Sequence, residues 1–177
     1  MLYLHNIMKK RSEATISRSF FDMNFNQKVK DLLTKALKEN QHIYLVDLKI
    51  GADNSIKVIL DGDEEINVKD CISISRAIEH ELDRDEEDFG LEVASAGVGS
   101  PLVFPRQYLK NINRELEVML LEGEIIKGKL VKADENEIEL EWKQREPKPI
   151  GKGKVTVKKN KVIAFEQINQ TKVIVKF

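Results

Sequence analysis

The stretch SAGVGSPLVFP at residues 95–105 decides how this chain is organised. Its two glycines and two prolines interrupt helices and strands alike, which indicates a junction between two folded parts. Helical and strand spacings of apolar residues alternate before it, whereas a spacing of two dominates after it. The sequence therefore predicts an N-terminal domain over residues 24–95, an inter-domain junction over 96–105 and an all-β domain over 106–177.

Upstream of the junction, the apolar residues between Phe25 and Leu37 recur at helical spacing. Two alternating segments follow, separated by turn residues at 51–54, which predicts a hairpin. Asn67 and Asp70 have the spacing of a capping box and predict the start of a second helix. That helix is expected to turn four side chains to the core: Cys71, Ile74, Ile78 and Leu82.

A third strand is predicted where Phe89, Leu91 and Val93 alternate with polar residues. The order αββαβ predicts a two-layer domain with both helices on one face of a small sheet. Downstream, short alternating strands are predicted around residues 116–120, 126–130, 138–142, 155–157 and 173–177. So many short strands favour a small closed barrel, SH3-like or Sm-like, which hides its edges. The predicted fold class is α+β.

Residues 1–23 show no clear period and are expected to form a poorly ordered extension. Met23 stands directly before the first predicted helix, and we hypothesise that it is the true start of the native protein. The first twenty residues have no apolar segment typical of a secretory signal, and no stretch is long enough to span a membrane. A single cysteine, Cys71, fits a reducing compartment, so a cytoplasmic protein is expected.

The formal net charge of −1 conceals a strong asymmetry along the chain. Residues 24–104 contain nine Lys and Arg against seventeen Asp and Glu, whereas residues 105–177 contain sixteen against eleven. A basic C-terminal half indicates a nucleic-acid or acidic partner.

The stretch from Lys143 to Lys161 contains eight basic residues and one acidic residue, Glu146. Residues 146–153 have the composition of a loop, so we expect a mobile cationic loop that follows a phosphate backbone. A solvated loop that only keeps the protein in solution is the alternative. The predicted ribosome-binding and RNA-binding residues are Lys143, Arg145, Lys148, Lys152, Lys154, Lys158 and Lys159.

The sequence gives little support for a metal site or a catalytic site. Residues 61–65 have carboxylates at the first three spacings of a calcium loop, but Ile66 and Ile72 occupy positions that require glycine and glutamate. An acidic face toward a basic partner, or a solvated face, is the better interpretation. No nucleophile–base pair and no phosphate-binding glycine motif is present. We therefore expect a binding protein rather than an enzyme, with no cofactor, no metal and no small-molecule substrate.

Three segments carry a family likeness. The segment VKDCISISR at 68–76 with Leu82-Asp83, the segment LEVASAGVGSPL at 91–102, and residues 104–120 resemble the RimP family of ribosome maturation factors. Ala96 and Ser100 depart from the family pattern, which usually has proline and arginine there. The junction residues assigned from this resemblance are Gly97, Pro101, Leu102 and Arg106.

The resemblance implies an αββαβ domain followed by an Sm-like barrel. It also implies a role in maturing the small (30S) ribosomal subunit, with contacts to rRNA and, through the C-terminal domain, to a ribosomal protein. We expect a monomer. The alternative function is a general Sm-like or SH3-like module that binds RNA or peptides unrelated to the ribosome.

Overall fold

The computed structural model describes residues 24–82, 88–150 and 152–175. The chain divides into two compact units, Met1–Leu60 with Ile66–Ser95, and Asp61–Glu65 with Ala96–Phe177. Helices and two sheets together make it a mixed α+β protein, which confirms the predicted class. The predicted extension over 1–23 lies outside the described residues.

Three strands and two helices follow one another in the predicted αββαβ order. They are helix α1 over 24–39, strands β1 (Ile43–Ile50) and β2 (Ser55–Gly62), helix α2 (Val68–Glu79) and strand β3 (Gly90–Ser95). The sheet order is β1-β2-β3, and β2 and β3 run parallel. The last two residues of β2 are grouped with the second unit.

One hydrophobic cluster joins the two helices to the sheet of the first unit. Helix α1 contributes Phe25, Val29 and Leu33, whose spacing of four residues places them on one face. Strand β1 enters this core mainly through Ile43. Almost every position of its sequence, IYLVDLKI, is apolar, so alternation alone cannot predict which face of the strand is buried.

Helix α2 begins as predicted. The side chain of Asn67 accepts from the backbone N–H groups of Lys69 at 2.8 Å and Asp70 at 3.3 Å, and the Asp70 carboxylate accepts from the N–H of Asn67 at 2.8 Å, which completes a capping box. Ile74 and Ile78 are fully buried. Cys71 is only half-buried because it lies in the first turn, at the edge of the cluster, so its expected place in the core was wrong.

The second unit contains a short helix, five strands and a 3₁₀ turn. They are α3 (Pro105–Lys110), β4 (Glu115–Leu120), β5 (Ile125–Ala133), β6 (Glu137–Pro147), β7 (Lys154–Ala164), the 3₁₀ turn Phe165–Gln167, and β8 (Ile168–Val173). The sheet is antiparallel in the order β7-β6-β5-β4-β8. The alternating residues of β4, β5 and β6 face one core, as predicted: Leu116, Val118, Leu120, Ile126, Leu130, Ile138 and Leu140.

Two strands differ from their predicted positions. Strand β7 extends for eleven residues to Ala164, and its length was missed because lysines at 159 and 161 occupy positions on its inner face. The last strand ends at Val173, which is buried, whereas Val175 beyond it is exposed. Phe177, predicted to close that strand, lies outside the described residues.

Helix α3 was not predicted. Pro105 occupies its first turn, and the side chain of Gln107 accepts from the backbone N–H groups of Val103 and Phe104 at 2.7 and 3.1 Å. A proline followed two residues later by glutamine is a helix-start signal that the sequence already carried. None of the described helices is long and apolar enough to span a membrane.

Candidate nucleic-acid interface on the β6–β7 ribbon

The basic stretch forms a β-ribbon. Strands β6 and β7 pair antiparallel from Glu137↔Ala164 to Pro147↔Lys154, so the connection between them is only residues 148–153. The expectation of a mobile loop over 146–153 was therefore wrong for residues 146 and 147, which belong to β6. Its proline and lysine content indicated a loop, but Pro147 is tolerated as the last residue of the strand.

The outer part of this ribbon extends beyond the rest of the sheet. Pairing between β5 and β6 ends at Lys129↔Glu141, whereas pairing between β6 and β7 continues for six more residues of β6. Residues 142–147 and 154–159 thus form a two-stranded ribbon, and we use this name for them below. Each strand of it spans roughly 20 Å, at about 3.3 Å per residue.

One face of the ribbon carries most of the predicted cations. Alternation places Lys143 and Arg145 on the side of β6 away from the buried Ile138 and Leu140. Their cross-strand partners are Lys158 and Thr156, and Lys154 lies opposite Pro147. We call this the cationic face, and its four charged members are Lys143, Arg145, Lys154 and Lys158.

The charges of this face are only partly neutralised. Lys158 pairs with Glu141 at 2.9 Å, whereas Lys143, Arg145 and Lys154 make no ion pair with any described residue. The pKa of the Glu141 carboxyl is lowered, chiefly because Lys158 donates a hydrogen bond to it and adds its charge, and further by Lys129 and Lys143. The neighbouring cations therefore favour the charged form of this carboxyl.

The opposite face of the ribbon is different in chemistry. Trp142 packs against the core, and Lys159 pairs with Glu146 at 2.7 Å. Lys159 was predicted to act together with the other cations, but it lies on the other face with its charge already paired. Lys159 is adjacent to Lys158 in the sequence, but adjacent residues of a strand point to opposite faces.

The connection at the end of the ribbon contributes two further predicted cations. Lys148 donates its backbone N–H to the carbonyl of Gly153 at 3.1 Å, which closes the turn, and Lys152 is exposed. Between them Ile150 is 90% exposed. Gly151 lies outside the described residues.

The acidic segment Asp61–Glu65 lies in the second unit and is paired there. Asp61 is buried and accepts from Gln107 Nε2 at 2.8 Å and from the Lys110 ammonium. The Arg106 guanidinium donates to both carboxylate oxygens of Asp63. The interpretation of this segment as a solvated or partner-facing acidic surface was therefore wrong for Asp61, which is buried, whereas Asp63 pairs with Arg106 and remains exposed.

The predicted junction residues do not act as one group. Gly97 accepts the N–H of Ser100 at 2.8 Å in a turn, and its φ is not positive. Leu102 donates its N–H to the carbonyl of Thr171 at 2.9 Å, which ties it to the edge strand β8. Pro101 is exposed and, with Leu102, lines an open groove of about 380 Å³ in the second unit. Arg106 lies in α3, paired with Asp63.

In the described part of the chain, no group of three His, Cys, Asp or Glu side chains is placed to hold a metal ion. The arrangement offers instead several exposed cations on one face for binding a polyanion. Alternation was the signal that could have grouped Lys143 with Arg145 and Lys154 with Lys158, whereas the sharing of one face by both pairs depends on the register between β6 and β7.

Comparison with known proteins gives consistent matches. A family model for the RimP N-terminal domain matches residues 33–99. The chain is 53% identical over 151 residues to ribosome maturation factor RimP of Christiangramia forsetii, covering 85% of the chain and 98% of the relative. For the protein of the same name from Flavobacterium psychrophilum the identity is 47% over 155 residues, covering 88% and 100%.

A shorter match, 40% identical over 98 residues, is to the Porphyromonas gingivalis protein of that name and covers 55% of the chain and 64% of the relative. The two longer matches extend over nearly the whole of each relative, through both structural units. They confirm the likeness found in the motifs at 68–83 and 91–102, and the chain belongs to the RimP family.

Proposed function

We propose that this protein is a cytoplasmic, monomeric ribosome maturation factor that binds the assembling small (30S) subunit and catalyses no reaction. The observation that carries the proposal is family membership, since two relatives that are called ribosome maturation factors match along nearly their full length. The cationic face of the ribbon supplies a means of contacting rRNA. Binding energy alone does the work, because holding an RNA conformation requires no bond chemistry.

The RNA contact is proposed for Lys143, Arg145, Lys154 and Lys158 on the cationic face, with Lys148 and Lys152 at the end of the ribbon. Each phosphate that a lysine or arginine neutralises releases condensed counterions, so binding weakens as salt rises. Lys159 is left out because Glu146 already pairs with it. A second contact of the C-terminal unit, to a ribosomal protein, is proposed from the family resemblance.

We further propose that the five strands of the second unit close into a small Sm-like or SH3-like barrel. Register shifts in β4 and β5 support closure, because irregular pairing bends a sheet, and closure would bring the two end strands β7 and β8 together. In a closed barrel the backbone amides along β8 exchange with solvent as slowly as those of β4. Fast exchange along all of β8 would show an open edge.

The functional proposal is tested by sedimenting the tagged protein in cell lysate through sucrose gradients at low and moderate salt. We expect enrichment on free small subunits, absence from full ribosomes, and loss at higher salt. The variant K143A/R145A/K154A/K158A is expected to move toward the top of the gradient.

A charge-matched control is available on helix α1, where four lysines are exposed: Lys28, Lys30, Lys35 and Lys38. Their fourfold alanine variant loses the same charge but should still sediment with small subunits. If the parent protein stays at the top of the gradient at both salt concentrations, the small-subunit proposal is wrong and a general binding module is favoured. If both fourfold variants behave alike, the ribbon is not the site.

A further inference from the structure

The ribbon has dimensions that suit a groove of a nucleic acid helix. Its two strands lie about 4.8 Å apart, and each spans roughly 20 Å. A two-stranded ribbon of this kind enters the major groove of B-form DNA, but in A-form RNA the major groove is too narrow and the minor groove is wide and shallow. An RNA helix would therefore receive the ribbon on its minor-groove side.

The distribution of charge on the ribbon favours binding of RNA in one orientation over attraction from any side. Lys143, Arg145, Lys154 and Lys158 lie on one face, and the cation of the opposite face is paired with Glu146. Only the cationic face therefore presents several unneutralised charges to a phosphate surface, which fixes which side of the ribbon approaches the RNA.

A single-stranded target fits the ribbon less well. Proteins that hold unpaired bases stack them on aromatic side chains. Over residues 142–159 the sequence contains one aromatic residue, Trp142, and that residue packs against the hydrophobic core. The ribbon thus has several cations for a backbone, but for bases only one aromatic ring, which is half-buried.

Thr156 adds a group that can distinguish RNA from DNA. It lies on the cationic face, opposite Arg145 and between Lys154 and Lys158 along β7. Its side chain is exposed, and its hydroxyl makes no hydrogen bond to another described residue. A hydroxyl can both donate to and accept from a ribose 2′-OH, which lines the minor groove of RNA and is absent from DNA.

From these features we propose that the ribbon docks its cationic face on the minor-groove side of an A-form RNA helix, with Thr156 contacting a ribose 2′-hydroxyl. This inference rests on the proposed contact with rRNA and names the form of RNA that the contact requires. It assigns to Thr156 a role in specificity that its neighbours, as phosphate-binding cations, cannot have.

The test uses the full chain and three fluorescent probes. They are an RNA duplex of about 20 base pairs, the DNA duplex of the same sequence, and one RNA strand alone. We expect the RNA duplex to bind about tenfold or more tightly than either other probe at moderate salt. The K143A/R145A/K154A/K158A variant should lower the dependence of log affinity on log salt by about three units.

The variant T156V isolates the hydroxyl, because valine has a similar shape, retains strand propensity and changes no charge. We expect T156V to bind the RNA duplex about threefold to tenfold more weakly, the effect of one lost hydrogen bond, with DNA binding and the salt dependence unchanged. An equal effect of T156V on both duplexes would overturn the role of Thr156.

Single-stranded RNA binding as tightly as the duplex, or an absence of any RNA binding, would overturn the docking inference. The proposed function fails separately, when the protein does not sediment with small subunits. A protein that sediments with small subunits but shows no preference for duplex RNA would retain its proposed function and lose this inference alone.

Discussion

Lys143 and Lys158 are direct cross-strand partners, and their side chains lie on the same face of the ribbon. Two like charges directly opposite one another destabilise a sheet, although Glu141 offsets part of this through its pair with Lys158. The free protein thus carries an electrostatic cost at this point of the ribbon, and a bound polyanion relieves it.

Replacing Lys143 by glutamate should therefore separate stability from binding. K143E places opposite charges across the strands but also adds a carboxylate near Glu141, so the free energy of unfolding is expected to rise by at most about 0.5 kcal/mol in urea titrations. Small-subunit binding should fall at the same time. The control is K148E, which makes the same charge change in the connection, outside the paired strands. A stability gain no greater in K143E than in K148E would argue against repulsion between the two lysines.

Gly128 lies where strands β5 and β6 pack closely. A Cβ there would lie 3.1 Å from the carbonyl oxygen of Glu141 and 3.4 Å from Leu140 Cβ, both in the neighbouring strand β6. We expect G128A to lower the free energy of unfolding by about 1–3 kcal/mol. The matched control is G99A in the junction, where a Cβ meets nothing within 4 Å. If the two variants unfold at the same urea concentration, strand packing does not select glycine at 128.

Asp61 stabilises the second unit by pairing with the ammonium of Lys110 and accepting a hydrogen bond from the side-chain amide of Gln107. In D61A, the partly buried ammonium of Lys110 and the buried amide of Gln107 both lose their carboxylate. We expect a loss of about 2–4 kcal/mol in the free energy of unfolding. The exposed neighbour Glu64 provides the control E64A, with an expected change below about 0.5 kcal/mol. Equal effects of D61A and E64A would mean that the cluster adds nothing to stability.

The pair of Glu141 with Lys158 makes a prediction about pH. Because the folded chain lowers the pKa of Glu141 below its ordinary 4.5, the pair contributes stability above that value and loses it as pH falls through the folded pKa. The stability deficit of E141Q should therefore be largest at neutral pH and shrink in acid, as measured by urea midpoints across this range. E122Q, at an exposed turn, is the control. A deficit that does not depend on pH would assign the effect to packing.

Much of the first unit could be predicted because local signals and burial agree there. The capping box of Asn67 and Asp70 is wholly local, and the buried pair Ile74 and Ile78 follows at helical spacing. Strand β1 was harder, since an almost uninterrupted apolar segment fits either face.

The candidate site was harder to predict than the fold. The sequence identified a cluster of cations but described it as a loop, because lysines at inner positions of β7 conceal the alternation of that strand. Which cations share a face depends on the register between β6 and β7, a pairing that no local pattern specifies. Likewise, the partners of Asp61 lie 46 and 49 residues away, beyond the reach of spacing rules.

The grouping of Asp61–Glu65 with the second unit has a practical consequence for dissecting the protein. A fragment that begins at residue 96 would contain every strand of the five-stranded sheet, yet it would lack the carboxylates that Arg106 and Lys110 bind. In such a fragment, Arg106 and Lys110 of α3 would lack the carboxylates of Asp63 and Asp61. Weak folding or altered RNA binding by it would reflect this missing peptide, and supplying residues 61–65 in trans or by fusion should restore it.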